Sequence, residues 1–318
     1  RQRIVLLEGV FEGASLRQAA HHGLDLLVHD AEQLALLDAW RGDHAFSAWA
    51  KLDTGMNRLG FRPALFPKAL RRLRQGEDFE YAVDVALRRL LDCPAVAGPP
   101  TLVTHLACAD DRDDLRTREQ LALFARLTAG VPGERSIANS AGILGWAESR
   151  ADWVRPGLML YGVSPFADTT GEALGLRPAM RLETAVIAVK EIAAGDRVGY
   201  GGSWGGPAPA TGPAGAGPGV APGRARLAVA AVGCGDGYPR NPASGTAVLV
   251  NDRRASLVGR VSMDMITIDV TDLPRVLVGD PVVLWGPGVP VENVAGAAGT
   301  IPYELICGVS QRVHLDVR

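Results

Sequence analysis

The stretch Lys51-Leu52-Asp53-Thr54-Gly55-Met56-Asn57-Arg58 carries the residues most able to do chemistry. It spans the end of a strand-like run, and Arg58 follows Lys51 by seven residues. An arginine on such a loop could bind a carboxylate through two parallel hydrogen bonds. A solvated loop arginine is the alternative for Arg58 taken alone.

Two further segments could cradle a phosphate. Asn139-Ser140-Ala141-Gly142 and Arg155-Pro156-Gly157 follow neighbouring predicted strands. A hydroxyl and glycine N–H groups at adjacent strand ends bind phosphate, although the same residues also serve ordinary helix caps and turns. His105 ends another predicted strand. A single histidine at such a place is more often a hydrogen-bonded structural residue than a ligand.

Three segments nearer the C-terminus add polar or aromatic groups. Tyr200 lies between glycines, as Gly199-Tyr200-Gly201-Gly202, and could exchange protons if a nearby cation lowered its pKa. A strand aromatic before a bulge is the alternative reading. Gly259–Met265 is predicted to be a buried strand with Met263 as core filler, and Tyr303 to be a half-buried aromatic.

Alternating strands and helices position these groups in the first half of the chain. Six strands are predicted: 4–8, 26–29, 46–52, 102–107, 136–139 and 153–161. The helices between them are predicted at 15–22, 31–40, 63–74, 81–91, 115–129 and 141–148. Polar clusters follow the strands, as they do at the active face of a (β/α)₈ barrel. Because eight units close such a barrel, the first two units are expected to be missing before Arg1.

The second half has a different pattern. Helical periodicity stops near Arg177, and short β-type runs follow at 184–189, 228–232, 246–249, 266–270 and 281–284. These runs predict a mostly β domain. The Gly/Pro/Ala-rich insert 205–223 is expected to be flexible. We therefore expect an incomplete barrel at 1–172 and a β-rich C-terminal domain at 173–318.

Composition excludes several classes of protein. The 318 residues carry a net charge of −2, which gives no basic face for nucleic acid. No apolar run is long enough to span a membrane. Four widely spaced cysteines favour a reducing, cytoplasmic compartment, and no metal site is expected. The chain has three lysines: Lys51, Lys68 and Lys190.

Taken together and in order, these motifs resemble the alanine racemases. The resemblance extends over essentially the whole chain, from Leu7-Glu8-Gly9 through Lys51–Gly60, Gly199–Gly202 and Gly233–Arg240 to Thr300–Leu305. It implies a (β/α)₈ barrel followed by a β domain, pyridoxal 5'-phosphate as cofactor, alanine as substrate, and a homodimer with shared active sites. It also implies an isomerase that interconverts L- and D-alanine through a pyridoxal-phosphate aldimine by a two-base mechanism.

The resemblance assigns roles to individual residues. Tyr200 matches a base that removes the α-proton of L-alanine in the partner subunit's site. Arg58 matches a residue that binds the cofactor's phenolic oxygen and the substrate carboxylate, which Met263, next to Asp264, also contacts. Phosphate ligands are matched by Ser140, beside Asn139, and by Gly157 and Tyr303. Arg155 matches the partner of the pyridine nitrogen, His105 the residue orienting it, and Lys51 a lysine whose carbamylation would position Arg58.

Two departures from the family pattern limit these expectations. The Schiff-base lysine motif is absent, and none of the three lysines stands in its place. Cys234 replaces a usual tyrosine of the substrate-entry wall. Racemase activity of these 318 residues alone is therefore expected to be near background. A broader-specificity amino-acid racemase and a non-catalytic, ligand-binding descendant stay open as alternatives, as does a biosynthetic or catabolic role.

Overall fold

A computed structural model describes residues 2–63, 83–193, 195–205 and 223–317. The chain forms two compact units, Arg1–Gly157 and Leu158–Arg318. The sequence suggested a boundary after residue 172, but the structure divides the chain after Gly157. Within the second unit, Glu292 Oε1 accepts hydrogen bonds from the backbone N–H groups of Ser164 at 2.9 Å and Gly171 at 2.7 Å. These bonds hold residues 158–172 in the second unit.

The first unit alternates strands and helices, as the sequence predicts. Its strands are β1 (Val5–Leu6), β2 (Asp25–Val28), β3 (Ala48–Lys51), β4 (Thr101–Val103) and β5 (Arg135–Ser136). Its helices are α1 (Gly13–His22), α2 (Ala31–Asp38), α3 (Val83–Asp92), α4 (Arg116–Leu127) and α5 (Ser140–Gly145). All four strand pairings are parallel, in the order β1-β2-β3-β4-β5. The predicted parallel sheet is confirmed.

Burial explains why these strands are mostly apolar. Every residue of β2, β3 and β4 is buried, as in a parallel sheet covered on both faces. Helices cover one face through buried side chains such as Leu16, Leu34 and Leu90. Asp30 fixes the start of α2 by accepting a hydrogen bond from the Glu32 N–H at 2.8 Å.

The sixth predicted strand is wrong over most of its length. Only a single parallel bridge joins Ser136 to Trp153, and Leu158–Tyr161 forms a 3₁₀ turn. Among the described residues, five strands form an open sheet. Closure into an eight-stranded barrel stays a prediction. The helix predicted at 63–74 lies almost wholly outside the described residues, and so does the insert at 205–223.

The second unit is a closed barrel of six antiparallel strands in the order β10-β7-β6-β11-β8-β9. The strands are β6 (Leu182–Ala193), β7 (Arg224–Ala230), β8 (Ala247–Val250), β9 (Arg253–Val258), β10 (Ile266–Asp269) and β11 (Pro281–Trp285). The mostly β prediction is confirmed. It missed β9, which Asn251 and Asp252 join to β8 through a turn with positive φ at both residues.

Two further predictions for this unit are wrong. Helices α6 (Val291–Ala298) and α7 (Pro302–Gly308) follow the barrel, although the helical pattern was expected to stop. Residues 259–265 form a loop rather than a buried strand, and Met263 is 65 % exposed. None of the helices in the described ranges is both long and apolar enough to cross a lipid bilayer.

Candidate active site

The carboxyl edge of the parallel sheet brings together three nitrogen-bearing side chains of the first unit. Lys51 is the last residue of β3, and its side chain is buried. His105 follows β4 by two residues, and Arg155 follows the Trp153 bridge. Because parallel strands end at one edge, residues far apart in sequence come together there.

Arg155 is the most heavily bonded of these residues. Its Nη1 donates to Ser136 Oγ at 2.5 Å, and its Nη2 donates to the carbonyl oxygens of Thr104 at 2.6 Å and Ile137 at 3.2 Å. Its Nη2 also lies 3.4 Å from His105 Nδ1. A guanidinium can only donate, so His105 Nδ1 accepts and the imidazole is neutral with its proton on Nε2.

The pKa values of this edge reflect burial among like charges. Burial, with the charges of Arg155, Arg58 and Lys51, lowers the pKa of His105 to about 4. Burial lowers the pKa of Lys51 too, and Arg58 and Arg155 add to this effect. Burial alone lowers the pKa of Arg155 to about 10. This edge is therefore an electropositive site that favours an anionic ligand.

Arg58 lies on a loop whose shape is set by Asp53. Asp53 Oδ1 accepts hydrogen bonds from the N–H groups of Gly55 and Asn57, both at 3.0 Å. The loop closes where the Phe61 N–H donates to the Lys51 carbonyl oxygen at 2.8 Å. We call residues 53–60 the Arg58 loop. Its last residue, Gly60, has φ +130, and a Cβ there would lie 2.7 Å from the Asp53 nitrogen.

The structure also brings the first unit's phosphate candidates together. Asn139 caps α5 by accepting from the Gly142 N–H at 2.9 Å. Ser140 is buried, and its Oγ accepts the Gly157 N–H at 3.0 Å. A hydroxyl and an N–H group that already face each other could both turn to one phosphate oxygen.

In the second unit, Tyr200 lies at the tip of a short hairpin. Val198 and Trp204 form its bridge, and a 3₁₀ turn at Tyr200–Gly202 makes its tip. Gly199 and Gly201 have φ of 71° and 73°, which explains the glycines on either side. Tyr200 is 62 % exposed, so it is not the strand aromatic of the alternative reading.

Residues 259–265, which we call the Met263 loop, lie beside the turn that contains Cys234. Cys234 and Gly235 donate their N–H groups to the carbonyl oxygens of Ser262 at 3.0 Å and Met263 at 2.8 Å. Asp264 pairs with Arg312 at 2.7 Å. These bonds hold the Met263 backbone on the surface rather than in the core, which corrects the core-filler interpretation.

Tyr303 lies in the first turn of α7, where it is half exposed. Its hydroxyl accepts the Leu158 N–H at 3.3 Å within the second unit. The hydroxyl therefore contacts Leu158, the residue directly after Gly157 in the chain.

Sequence reasoning missed one buried polar residue at the strand edge. Gln120 is 3 % exposed on α4, and its side chain bonds Thr54, His105 and Ala107. The signal was a glutamine on the buried side of an amphipathic helix, three residues after Thr117 and four before Phe124.

Two family models match the chain. "Alanine racemase, N-terminal domain" matches residues 1–165, and "Alanine racemase, C-terminal domain" matches residues 216–317. Curated relatives are similar over nearly the whole chain. The alanine racemase of Nitrosococcus oceani is 47 % identical over 98 % of this chain and 78 % of its own length. That of Halorhodospira halophila is 45 % identical over 99 % of this chain and 78 % of its own.

Solved structures give the same match. The biosynthetic alanine racemase from Pseudomonas aeruginosa has a TM-score of 0.82 and 42 % identity, covering 98 % of this chain and 78 % of that one. The alanine racemase from Bartonella henselae with covalently bound pyridoxal phosphate has a TM-score of 0.72 and 29 % identity, covering 98 % and 77 %.

Proposed function

This chain belongs to the alanine racemase family, and from that premise we propose that its residues take part in interconverting L- and D-alanine. Members of the family are isomerases that depend on pyridoxal phosphate. The observation that carries the proposal is the Arg155–His105 pair beside buried Lys51. Burial and the charges of Arg155, Arg58 and Lys51 keep the His105 imidazole neutral at the carboxyl edge of the sheet.

The residues of this edge fit the anionic, aromatic cofactor. Ser140 Oγ and the Gly157 N–H would hold its phosphate, next to Asn139, and Tyr303 is proposed as a further phosphate ligand. Arg155 would face the ring nitrogen. A guanidinium has no lone pair to accept a proton and repels a second positive charge, so that nitrogen stays unprotonated. When bound, the cofactor supplies an electron sink at the substrate's Cα.

The covalent anchor is not assigned in this chain. Lys51 is buried, and the charges of Arg58 and Arg155 add to the lowering of its pKa. Lys190 is a residue of β6, and Lys68 lies outside the described residues. We propose instead that the Lys51 amine, whose pKa burial lowers, takes up carbon dioxide with loss of a proton. The carbamate would then pair with Arg58 and orient it toward the substrate carboxylate.

Proton transfer falls to Tyr200. We propose a homodimer in which Tyr200 and the Met263 backbone, with Asp264 beside it, act in the partner subunit's site. The exposure of Tyr200 and Met263 on surface loops supports this assignment. Tyr200 Oη would take the α-proton of L-alanine, and a second base would return a proton to the opposite face.

The four free cysteines fit a reducing cytoplasmic compartment.

The test uses the 318-residue chain with added pyridoxal phosphate in D₂O. Proton NMR follows loss of the α-proton of L-alanine, and chiral chromatography follows D-alanine. We expect deuterium to enter L-alanine, while D-alanine forms at a rate near background because the second base is unassigned. No cofactor-dependent exchange would contradict the proposal. Equal exchange into L-serine would instead favour a broader-specificity amino-acid racemase.

A further inference from the structure

Gln120 makes three hydrogen bonds that join two loops of the candidate site. Its Oε1 accepts the Ala107 N–H at 2.9 Å. Its Nε2 donates to the His105 carbonyl oxygen at 2.9 Å and to Thr54 Oγ1 at 3.1 Å. Thr54 Oγ1 in turn lies 2.7 Å from Thr104 Oγ1. One buried amide therefore connects the loop after β3 with the loop after β4.

Gln33 on α2 makes a similar connection elsewhere on the same sheet. Its Oε1 accepts the His29 N–H at 2.8 Å, and its Nε2 donates to the Glu8 carbonyl oxygen at 2.8 Å. Like Gln120, Gln33 is 3 % exposed. It joins the loop after β2 with the loop after β1 and bonds neither His105 nor Thr54. The chain thus contains a natural control for Gln120.

The two loops that Gln120 joins carry the groups assigned to the cofactor and substrate. Fixing the His105 carbonyl fixes the backbone that aims its imidazole at Arg155. Thr54 directly follows Asp53, whose carboxylate shapes the Arg58 loop. An unsatisfied buried amide is costly, so an amide with its oxygen and both N–H groups engaged specifies one arrangement of its partners.

We propose that Gln120 is a positioning residue of the racemase site, holding His105 and the Arg58 loop in one fixed relation. It acts through His105 and Thr54 and touches neither substrate nor cofactor. The importance of those two groups rests on the proposed function. The arrangement itself can be tested without cofactor, alanine or turnover.

The experiment compares Gln120→Met with Gln33→Met in the full chain. Both substitutions keep side-chain length and remove a buried amide of similar bonding. The readout is the His105 pKa from an NMR pH titration, which is tractable because the chain has six histidines. His105→Gln assigns the signal by its loss.

We expect Gln120→Met to raise the His105 pKa from about 4 to above about 5, toward the ordinary histidine value. The cause is water reaching an imidazole no longer held beside Arg155, Arg58 and Lys51. The Gly55 and Asn57 amides, now bonded to Asp53, should exchange with solvent about tenfold faster. Gln33→Met should move neither quantity.

A second variant covers the case in which Gln120→Met does not fold. Gln120→Glu keeps the acceptor for the Ala107 N–H but cannot donate to the His105 carbonyl oxygen. Its carboxylate raises the His105 pKa through charge alone, so its readout is the exchange at Gly55 and Asn57, which should speed up. If folded Gln120→Met leaves both quantities, or folded Gln120→Glu leaves the exchange rates, equal to those of Gln33→Met, the positioning role is wrong. That outcome would leave cofactor-dependent proton exchange untouched, so it is distinguishable from failure of the proposed function.

Discussion

The two units treat their candidate site residues in opposite ways. In the first unit, Lys51, His105 and Arg155 are buried or half-buried among like charges, and their pKa values are lowered. In the second, Tyr200 and Met263 are 62 % and 65 % exposed on loops of a closed barrel. Folding of the first unit already removes its site residues from water, whereas the second unit leaves its site residues mostly exposed to solvent.

The difference follows from the architecture. A parallel sheet brings distant strand ends to one edge, so its site is assembled by folding and secured by buried hydrogen bonds. A closed antiparallel barrel keeps its core inside, and the candidate site residues Tyr200 and Met263 lie on its surface loops. Substitutions at site residues should therefore be costly to stability in the first unit and nearly neutral in the second.

The largest effect is expected for Arg155→Met. The substitution removes the donors that satisfy Ser136, Thr104 and Ile137, which should lower the free energy of unfolding by about 3 kcal/mol. Urea denaturation measures the change. Arg224→Met, at a half-exposed arginine of the second unit, is the control and should change little. Equal effects of the two substitutions would remove the contrast between the units.

A smaller effect is expected from pH through His105. Its folded pKa of about 4 lies below the unfolded value of about 6.5, so the unfolded chain binds the proton more tightly. The stabilisation is complete above pH 6.5 and is lost as pH falls toward 4. Between pH 7 and 5 the free energy of unfolding should fall by about 1–2 kcal/mol through this residue. His105→Gln should lack that part of the pH dependence, and an unchanged dependence would contradict the burial argument.

Tyr238→Phe should stabilise the protein, whereas Arg155→Met and low pH destabilise it. Tyr238 is 1 % exposed, and its hydroxyl has no hydrogen-bond partner among the described residues. Removing the hydroxyl should raise the free energy of unfolding by about 0.5–1 kcal/mol. Tyr303→Phe is the matched control, because it loses the bond from the Leu158 N–H and should not stabilise. Destabilisation by Tyr238→Phe would show that the hydroxyl has a partner.

The smallest effect is expected for Tyr200→Phe. Its ring is on a surface turn, so the free energy of unfolding should stay within about 0.5 kcal/mol of the native value. Thermal unfolding with and without the substitution measures it. A loss as large as that of Arg155→Met would mean that the Tyr200 turn is part of the barrel's packing.

Strand ends and turns were predictable from the sequence, but side-chain networks were not. Alternation of apolar runs and helices placed Lys51, His105, Ser140 and Gly157 at one sheet edge. The wrong strand at 259–265 shows why pattern alone fails there. Valine and methionine in that segment favour a strand, but bonds from Cys234 and Gly235 hold it as a loop. Gln120 was missed because a helix pattern does not reveal which buried polar group finds partners.

The proposed homodimer pairs the first unit of one subunit with Tyr200 of the partner subunit, and a mixing experiment tests that pairing most directly. We would mix Arg58→Leu and Tyr200→Phe chains and follow cofactor-dependent α-proton exchange of L-alanine in D₂O. Each variant alone should be near background. After subunit exchange, the mixture should recover up to about a quarter of the native rate, since one site in each mixed dimer keeps both residues. No recovery in a mixture shown to contain mixed dimers would contradict the claim.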